Sequence, residues 1–399
     1  MSHTILLYGA TGFSGRLIAG AAARRWSAPA AACRLVLGAR ESAELKQLAH
    51  RHAVDYRAFG LDDRAQVLRA LRGVKVLVNA AGPFAWTAER LAKAAVEAGC
   101  HYVDINGEVD VYKRLDDLGR FAAQRQVAIV CSAGHMSTTS DLLLDAALQH
   151  LGNKGIVELG TVRFAMSRVT HVSRGSTESA LRSLREQVTV VREADVSCQG
   201  GPRWQPVLWH LPVGALERTF DFGARGKHAG AGKPDLRIAS AVNLVDTLTA
   251  RVQAMRHGAR VHQIESYMET GTAARVGYQL GAFAAPLLSL PWVGALARAQ
   301  IALLPEGPTA QERAASPHVL LLEIEDAVRT PVIEWCLAGP NIYDVTAEAV
   351  TAIAERLAEG GFSGWCTPAE ALGPRLNLAE VEQGEPLQGC RLEQRVTVG

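Results

Sequence analysis

The opening stretch of the chain restricts its fold more than any other. "HTILLYGATGFSGRLIAG", His3 to Gly20, joins an apolar run to an amphipathic one through a turn holding Gly9, Gly12 and Gly15. Glycine costs roughly 0.5–1 kcal/mol against alanine inside regular structure, so the cluster marks a turn that requires it. The short apolar run reads as a buried strand and "GRLIAGAAARRW" as the helix after it. A turn of this kind presents backbone N–H groups at a helix N-terminus, where phosphate is attracted. Gly9 allows the tight turn, Gly12 lets the backbone approach a pyrophosphate, and Gly15 lets helix and strand pack closely. Thr11, Phe13 and Ser14 complete the expected cofactor loop. The G-x-x-G-x-x-G spacing is a relative of the G-x-G-x-x-G fingerprint.

The alternation continues. "RLVLGAR" (Arg34–Arg40), "VDYRAFGL" (Val54–Leu61), "VKVLVNAAG" (Val74–Gly82), "HYVDING" (His101–Gly107) and "VAIVCSAG" (Val127–Gly134) read as strands. Stretches such as "TAERLAKAAVEAG" between them carry apolar residues at helical spacing. Strands alternating with helices predict an α/β fold with a Rossmann-type doubly wound parallel sheet, whose ligands bind beyond the carboxyl ends of the strands. After the second strand stands Arg40, where an acidic residue would bind the ribose of NAD. Its guanidinium suits a 2′-phosphate, which favours NADP(H). Leu61 and Asp62 follow the third strand and are placed to border the adenine, although Asp62 could equally cap the next helix. Ala80, Ala81 and Gly82 are small enough for a chain passing close to a dinucleotide, and Pro83 stiffens that turn. Phe84 either covers the cofactor or fills the core. After the fifth strand, Asp104, Asn106 and Glu108 cluster with Tyr102.

Several classes are set aside. The net charge is +2 without a long basic run, so no nucleic-acid partner is expected. The seven cysteines are scattered, without a CxxC, which suits a reduced cytoplasmic protein. The N-terminus lacks the basic and apolar regions of a signal peptide. No Y-x-x-x-K pair follows the fourth strand, and neither a P-loop nor H-E-x-x-H occurs, so no metal is expected. Residues Val276 to Ala297 carry no charge. Two prolines interrupt them, and they read as a buried helical pair, a wall for an apolar ligand or a weak membrane-surface contact, rather than a span.

"ILLYGATGFSGRLIA", "LVLGAR", "VLVNAAGPF", "AAVEAGCHYVDINGE" and "SAGHMSTTSDLLLDAAL" together resemble the saccharopine dehydrogenase-like oxidoreductases, and among them the branch of trans-acting enoyl reductases of lipid and polyketide assembly. "GPNIYDVTAEAVTAIAERLAEGG" and "TPAEALG" resemble the same branch. The resemblance implies an NADP-binding Rossmann domain (1–135), an inserted α+β substrate and dimerisation domain (136–340), a C-terminal helix returning to the first domain (341–373) and a tail (374–399). It also implies a homodimer. In the middle, "IVELGTVRFAM", "RVHQIESYMET" and "HVLLLEIEDAV" alternate like strands, and "STESALRSLREQV" reads as a helix. Where the branch carries G-F-D-S-x-P-S-D, this chain has Gly134 to Asp141 with His135, Met136 and Thr139 as departures.

These features predict hydride transfer to a small apolar molecule. If the acceptor is a conjugated C=C, a donor at the carbonyl oxygen lowers the barrier, and His135 is the candidate. If it is a C=N, a carboxylate helps, and Glu108 or Asp104 is the candidate. A saccharopine-type substrate would need arginines for its carboxylates; Arg163, Arg168, Arg174 and Arg182 are available. A catalytically inactive NADP(H)-binding sensor or scaffold is the remaining alternative.

Overall fold

The structure is a computed structural model and describes residues 2–28, 30–167, 169–183, 188–198, 201–211, 215–223, 234–272, 275, 291–373 and 389–398. The chain divides into two compact units. One runs to Thr138 and resumes at Asn341; the other spans Thr139 to Pro340 and resumes at Gly389.

The first unit alternates β1 (His3–Tyr8), α1 (Phe13–Arg25), β2 (Cys33–Ala39), α2 (Ala43–His52), β3 (Asp55–Ala58), α3 (Arg64–Ala70), β4 (Val76–Asn79), α4 (Phe84–Ala98), β5 (His101–Asp104), α5 (Val109–Asp116), α6 (Gly119–Gln124) and β6 (Ala128–Val130). α7 (His135–Asn153) leads onward into the second unit. The second unit contains β7 (Glu158–Met166), α8 (Arg174–Ser183), β8 (Val188–Cys198), β9 (Gly201–Leu211), β10 (Glu217–Asp221), β11 (Leu236–Ala241), α9 (Asp246–Arg256), β12 (Arg260–Glu269), α10 (Pro291–Ala302), α11 (Ala310–Ala314), β13 (His318–Asp326) and β14 (Pro331–Gly339). The chain then returns to the first unit with α12 (Ile342–Glu359), β15 (Gly364–Cys366) and α13 (Pro368–Leu372), and ends in the second with β16 (Arg391–Thr397).

The first sheet has seven strands in the order β15-β6-β5-β4-β1-β2-β3. Every pair is parallel, so this is the doubly wound arrangement read from the sequence. Helix-covered parallel strands are buried on both faces and read as unbroken apolar runs; Ile5, Leu6 and Leu7 are fully buried accordingly. Ile5 lies beside Leu35 on β2 and Val76 on β4. The chain order reverses between β1 and β4, and that switch point sets the ligand crevice.

Local chemistry sets the helix starts. Ser42 Oγ accepts the Leu45 amide to cap α2. Asp63 Oδ1 accepts the amides of Ala65 and Gln66 at 2.8 and 3.2 Å to cap α3. Asp63, then, and not Asp62, is the cap, which answers one of the alternatives open for Asp62. α12 lies against α1, with the Phe13 and Tyr343 rings edge to face at 5.0 Å, and Arg24 and Arg25 paired with Glu348 and Glu355. β15 continues the sheet beyond β6, and the Trp365 indole N–H donates to the Tyr112 hydroxyl.

The second unit holds a mixed sheet, β10-β11-β12-β7-β13-β14-β16, with β8 paired to β12 and β9 to β8. β7, β12 and β13 contain the three segments read as strands. β16 lies in the segment read from sequence only as a tail. Val188, Val190, Phe220, Phe222, Tyr267 and Leu321 form a core on one face.

Candidate functional site

The glycine loop lies between β1 and α1, at the carboxyl edge of the first sheet. Gly9 adopts φ +84°, a conformation that side chains disfavour, and a Cβ there would stand 2.6 Å from the Ala81 nitrogen. Gly15 is held as closely: a Cβ on it would stand 2.1 Å from the Gly9 carbonyl oxygen. Gly9 therefore lets β1 meet the β4 loop, and Gly15 lets α1 meet the turn. Gly12 differs. Its closest neighbour to an added Cβ is the Gly9 oxygen at 3.4 Å, so the protein's own packing hardly demands a glycine there.

Gly12 is the N-cap residue of α1, which therefore has no side-chain cap, and its first turn carries no acidic residue. α4 starts behind Pro83, likewise without a side-chain cap. Two helix N-termini at neighbouring strand ends present their amides and the positive ends of their dipoles. Thr11, Phe13 and Ser14 occupy the loop and first turn; the Thr11 carbonyl accepts from the Arg16 guanidinium at 2.5 Å.

Arg40 is exposed just past β2. Leu61 is buried and Asp62 exposed past β3. Tyr8, buried at the end of β1, packs against Phe59 with the rings tilted and their centroids 4.8 Å apart. Burial raises its phenol pKa, while the nearby Arg40 opposes the rise and Asp62 adds to it.

The Ala80–Pro83 turn is clamped from within. Asn79 Oδ1 accepts the Ala81 amide at 3.0 Å, and Thr87 donates to the Ala81 carbonyl at 2.6 Å. Gly82 is exposed, and the Gly82–Pro83 bond is cis. From this clamp a buried chain of hydrogen bonds crosses the sheet end. Asn79 Nδ2 donates to the Tyr102 hydroxyl at 3.1 Å, and Tyr102 donates to Asp104 Oδ2 at 2.9 Å. Asp104 Oδ1 accepts the amides of Ser132 and Asn106 at 2.8 and 3.1 Å. Burial pushes the Asp104 carboxyl pKa upward, against the opposing pull of the Ser132 and Asn106 amides.

Asp104 therefore lies inside the sheet end, fully buried, with both oxygens engaged. Its carboxylate fixes the turn after β6. Asn106 in turn accepts the Glu108 amide at 2.7 Å, and Glu108 begins α5 as a buried residue. His135 opens α7, also buried, its backbone amide donating to Thr346 Oγ1 at 2.9 Å. The structure thus brings Asp104 and Glu108 together through Asn106, and ties the His135 backbone to α12. The roles of Asn79, Thr87 and Thr346 were not read from the sequence; the "N" and "T" of "NAAGPFAWT" carry no periodic signal that separates them from ordinary turn and helix residues.

In the second unit, Arg163 is buried and bidentate to Glu325, at 2.7 and 3.1 Å, with Nε 3.2 Å from Glu265. Arg174 donates to the Leu304 carbonyl. Arg168 and the side chain of Arg182 lie outside the described residues, as do 276–290 of the uncharged segment. Its last part begins α10, where Trp292 and Leu296 are exposed. Among the described residues no helix is long and apolar enough to cross a membrane, and no cluster of side chains could hold a metal ion.

Residues 5–130 match the family of saccharopine dehydrogenase NADP binding domains. No curated protein matches the chain in sequence. Among solved structures, apo saccharopine dehydrogenase (L-Glu forming) from Saccharomyces cerevisiae shares the fold with a TM-score of 0.58 at 10% identity, over 98% of this chain and 100% of that one. The homospermidine synthase of Legionella pneumophila, in complex with NAD, gives 0.54 at 9% identity, over 92% of this chain and 86% of that one. The chain thus shares its fold with these two enzymes, residues 5–130 form a domain of the saccharopine dehydrogenase NADP-binding type, and the Gly9–Gly15 cradle within it fits such a cofactor.

Proposed function

We propose that this protein is an NADPH-dependent reductase acting on a conjugated C=C of an acyl, polyketide-like or terpenoid-like small molecule. The observation that carries the cofactor half is Gly12: the one glycine of the loop that internal packing does not require lies at the uncapped start of α1. Gly9 to Gly15 would hold the pyrophosphate, Arg40 the 2′-phosphate, Leu61 and Asp62 the adenine edge, and Ala80 to Pro83 the inner half.

The substrate half is supported by what the arginines do. Recognition of a polycarboxylate needs guanidinium groups open to it, but Arg163 is already engaged by Glu265 and Glu325, and Arg174 by a backbone carbonyl.

Bound NADPH supplies the hydride. His135 is assigned to the carbonyl oxygen, where negative charge builds as the C=C is reduced and a hydrogen bond lowers the barrier. Asp104 is assigned a positioning role, because its carboxylate is taken up by Ser132, Asn106 and Tyr102.

A second reading, reduction at C=N, is favoured by the buried Glu108 at the start of α5, since a carboxylate stabilises an iminium. Loss of NADPH absorbance against a panel of enones and a panel of cyclic imines separates the two. Turnover of the imines alone overturns the first reading. Turnover of neither, with NADPH binding confirmed, leaves a cofactor-binding sensor or scaffold. The cofactor assignment has its own test: Arg40→Ala weakens NADPH binding at least about tenfold and NADH binding little, as expected for loss of a charge-assisted contact to phosphate. Equal losses overturn it.

A further inference from the structure

The carboxyl edge of β2 and β3 carries Arg40 and Asp62; the acidic residue next to each, Glu41 and Asp63, is paired with Lys46 and Arg69, and a further charge, Arg90, reaches the edge from α4. Arg40 follows β2 and Asp62 follows β3, and both strands run parallel to β1 in the sheet, so the two residues stand at the same sheet edge as the end of β1; both also act on the Tyr8 phenol, in opposite directions. Arg90 Nη1 lies 3.2 Å from Asp62 Oδ1. The Arg90 guanidinium also lies over the Trp86 indole, 4.5 Å from its centroid. Trp86 and Arg90 are four residues apart and share a helix face, so the ring supports the guanidinium from one side while Asp62 takes it from another. An arginine held on an aromatic face loses less freedom on forming its ion pair.

The charges decide what this edge selects. A phosphate monoester brings about −1.5 to −2 at neutral pH. Facing Arg40 alongside a bare Asp62, it would meet a protein edge of no net charge. With Arg90 on Asp62, the same edge is positive. A coenzyme that ends in an uncharged ribose is indifferent to the change.

We propose that Arg90 is a second determinant of coenzyme choice, a positioning residue that acts through Asp62 by cancelling its carboxylate beside the site of the 2′-phosphate. This rests on the NADPH reading above. The pair is exposed, with 46% of the Arg90 and 89% of the Asp62 side chain accessible, so the effect is modest and weakens with added salt.

The test titrates apo-protein with NADPH and with NADH, following nicotinamide fluorescence, for the wild type, Arg90→Ala, Asp62→Asn and the double variant. Arg90→Ala is expected to weaken NADPH about three- to fivefold and to leave NADH within about twofold. Asp62→Asn keeps the side chain's shape and an acceptor oxygen at the adenine border and removes only its charge, so it does not weaken NADPH, and in its background Arg90→Ala has no further effect. Equal loss of both coenzymes in Arg90→Ala, or the same loss with and without Asp62, overturns the inference. A loss of both coenzymes in Asp62→Asn also overturns it, by making the Asp62 charge itself necessary at the adenine border. A wild type without preference for NADPH sinks the reading of Arg40 and this one with it, whereas a wild type that prefers NADPH and an Arg90→Ala variant that prefers it as strongly sink the inference alone. Thermal melts confirm that each variant is folded.

Discussion

Asp104 Oδ1 accepts the backbone N–H of Ser132 at 2.8 Å, and Ser132 stands at φ +64°, in the left-handed region that residues other than glycine seldom occupy. The Asp104 carbonyl takes the next amide, that of Ala133, at 2.7 Å. A single residue at the end of β5 thereby imposes the turn that leads from β6 into His135. Backbone held in such a conformation persists only where its surroundings over-determine it, and such positions cluster at functional sites.

Replacing Asp104 tests that constraint. Asp104→Ala leaves the Ser132 and Asn106 amides and the Tyr102 hydroxyl buried without an acceptor. At about 1–3 kcal/mol for each group, the loss is about 3 kcal/mol or more in denaturant unfolding. Asp104→Asn keeps an acceptor for the two amides and costs less. An alanine variant as stable as the wild type would show that the turn holds itself.

The three glycines are expected to fail in different ways. Gly15→Ala forces a Cβ to 2.1 Å from the Gly9 oxygen and lowers stability by about 3 kcal/mol or more, since the clash is with backbone. Gly12→Ala meets nothing closer than 3.4 Å. It costs only about 1 kcal/mol, as alanine replaces glycine at a helix N-cap, yet weakens NADPH binding. Thermal melts alongside cofactor titrations separate the two outcomes.

His135→Gln and Glu108→Gln divide the two chemistries proposed for the site. In enone reduction the His135 variant lowers kcat by about 10²-fold or more, leaves NADPH affinity unchanged, and exceeds the Glu108 variant in its effect. In imine reduction the order reverses.

A pH dependence of stability follows from His101 at the start of β5. Its Nδ1 accepts the Ala128 amide at 2.9 Å, and burial, helped by Lys75, pushes its pKa from 6.5 to about 4. The folded protein thus keeps this ring neutral where the unfolded chain protonates it. The stabilisation is complete above about pH 6.5 and is lost as pH falls towards 4, up to roughly 3 kcal/mol. His318 in the second unit is pushed to about 4 by burial too. Unfolding of His101→Gln is therefore expected to show a shallower slope between pH 6.5 and 4 than the wild type. Identical slopes would mean that His101 is not protonated on unfolding in this range.

The first unit was legible because most of its strands are apolar runs followed by a turn, and the exposed edge strand β3 (Asp55–Ala58) was placed by its position in the alternation. β1 to β6 could be found that way, and with them the Arg40, Asp62 and Ala80–Pro83 positions. β15 could not, because three residues, Gly364 to Cys366, carry no period. Asp62 and Asp63 are both acidic and adjacent, so composition alone did not decide which one caps α3. Asp104 was read as a candidate catalytic carboxylate, and nothing local marked it as a buried one. Its neighbours in sequence, "YVDIN", give no sign that Ser132, 28 residues on, would take its carboxylate. In the second unit β7, β12 and β13 alternate clearly. The acidic partners of Arg163 sit on two other strands, and no local pattern brings them together.

β15 adds a temporal dimension to the cofactor domain. Its sheet is left with β6 as a bare edge until Gly364 has been made, 234 residues after β6 ends at Val130. During synthesis the nascent dinucleotide fold must wait for an entire intervening unit before its last strand emerges, with an unpaired edge open to wrong partners meanwhile. A ribosome-stalled chain ending before α12 should therefore be more prone to capture by chaperones than one ending after β15.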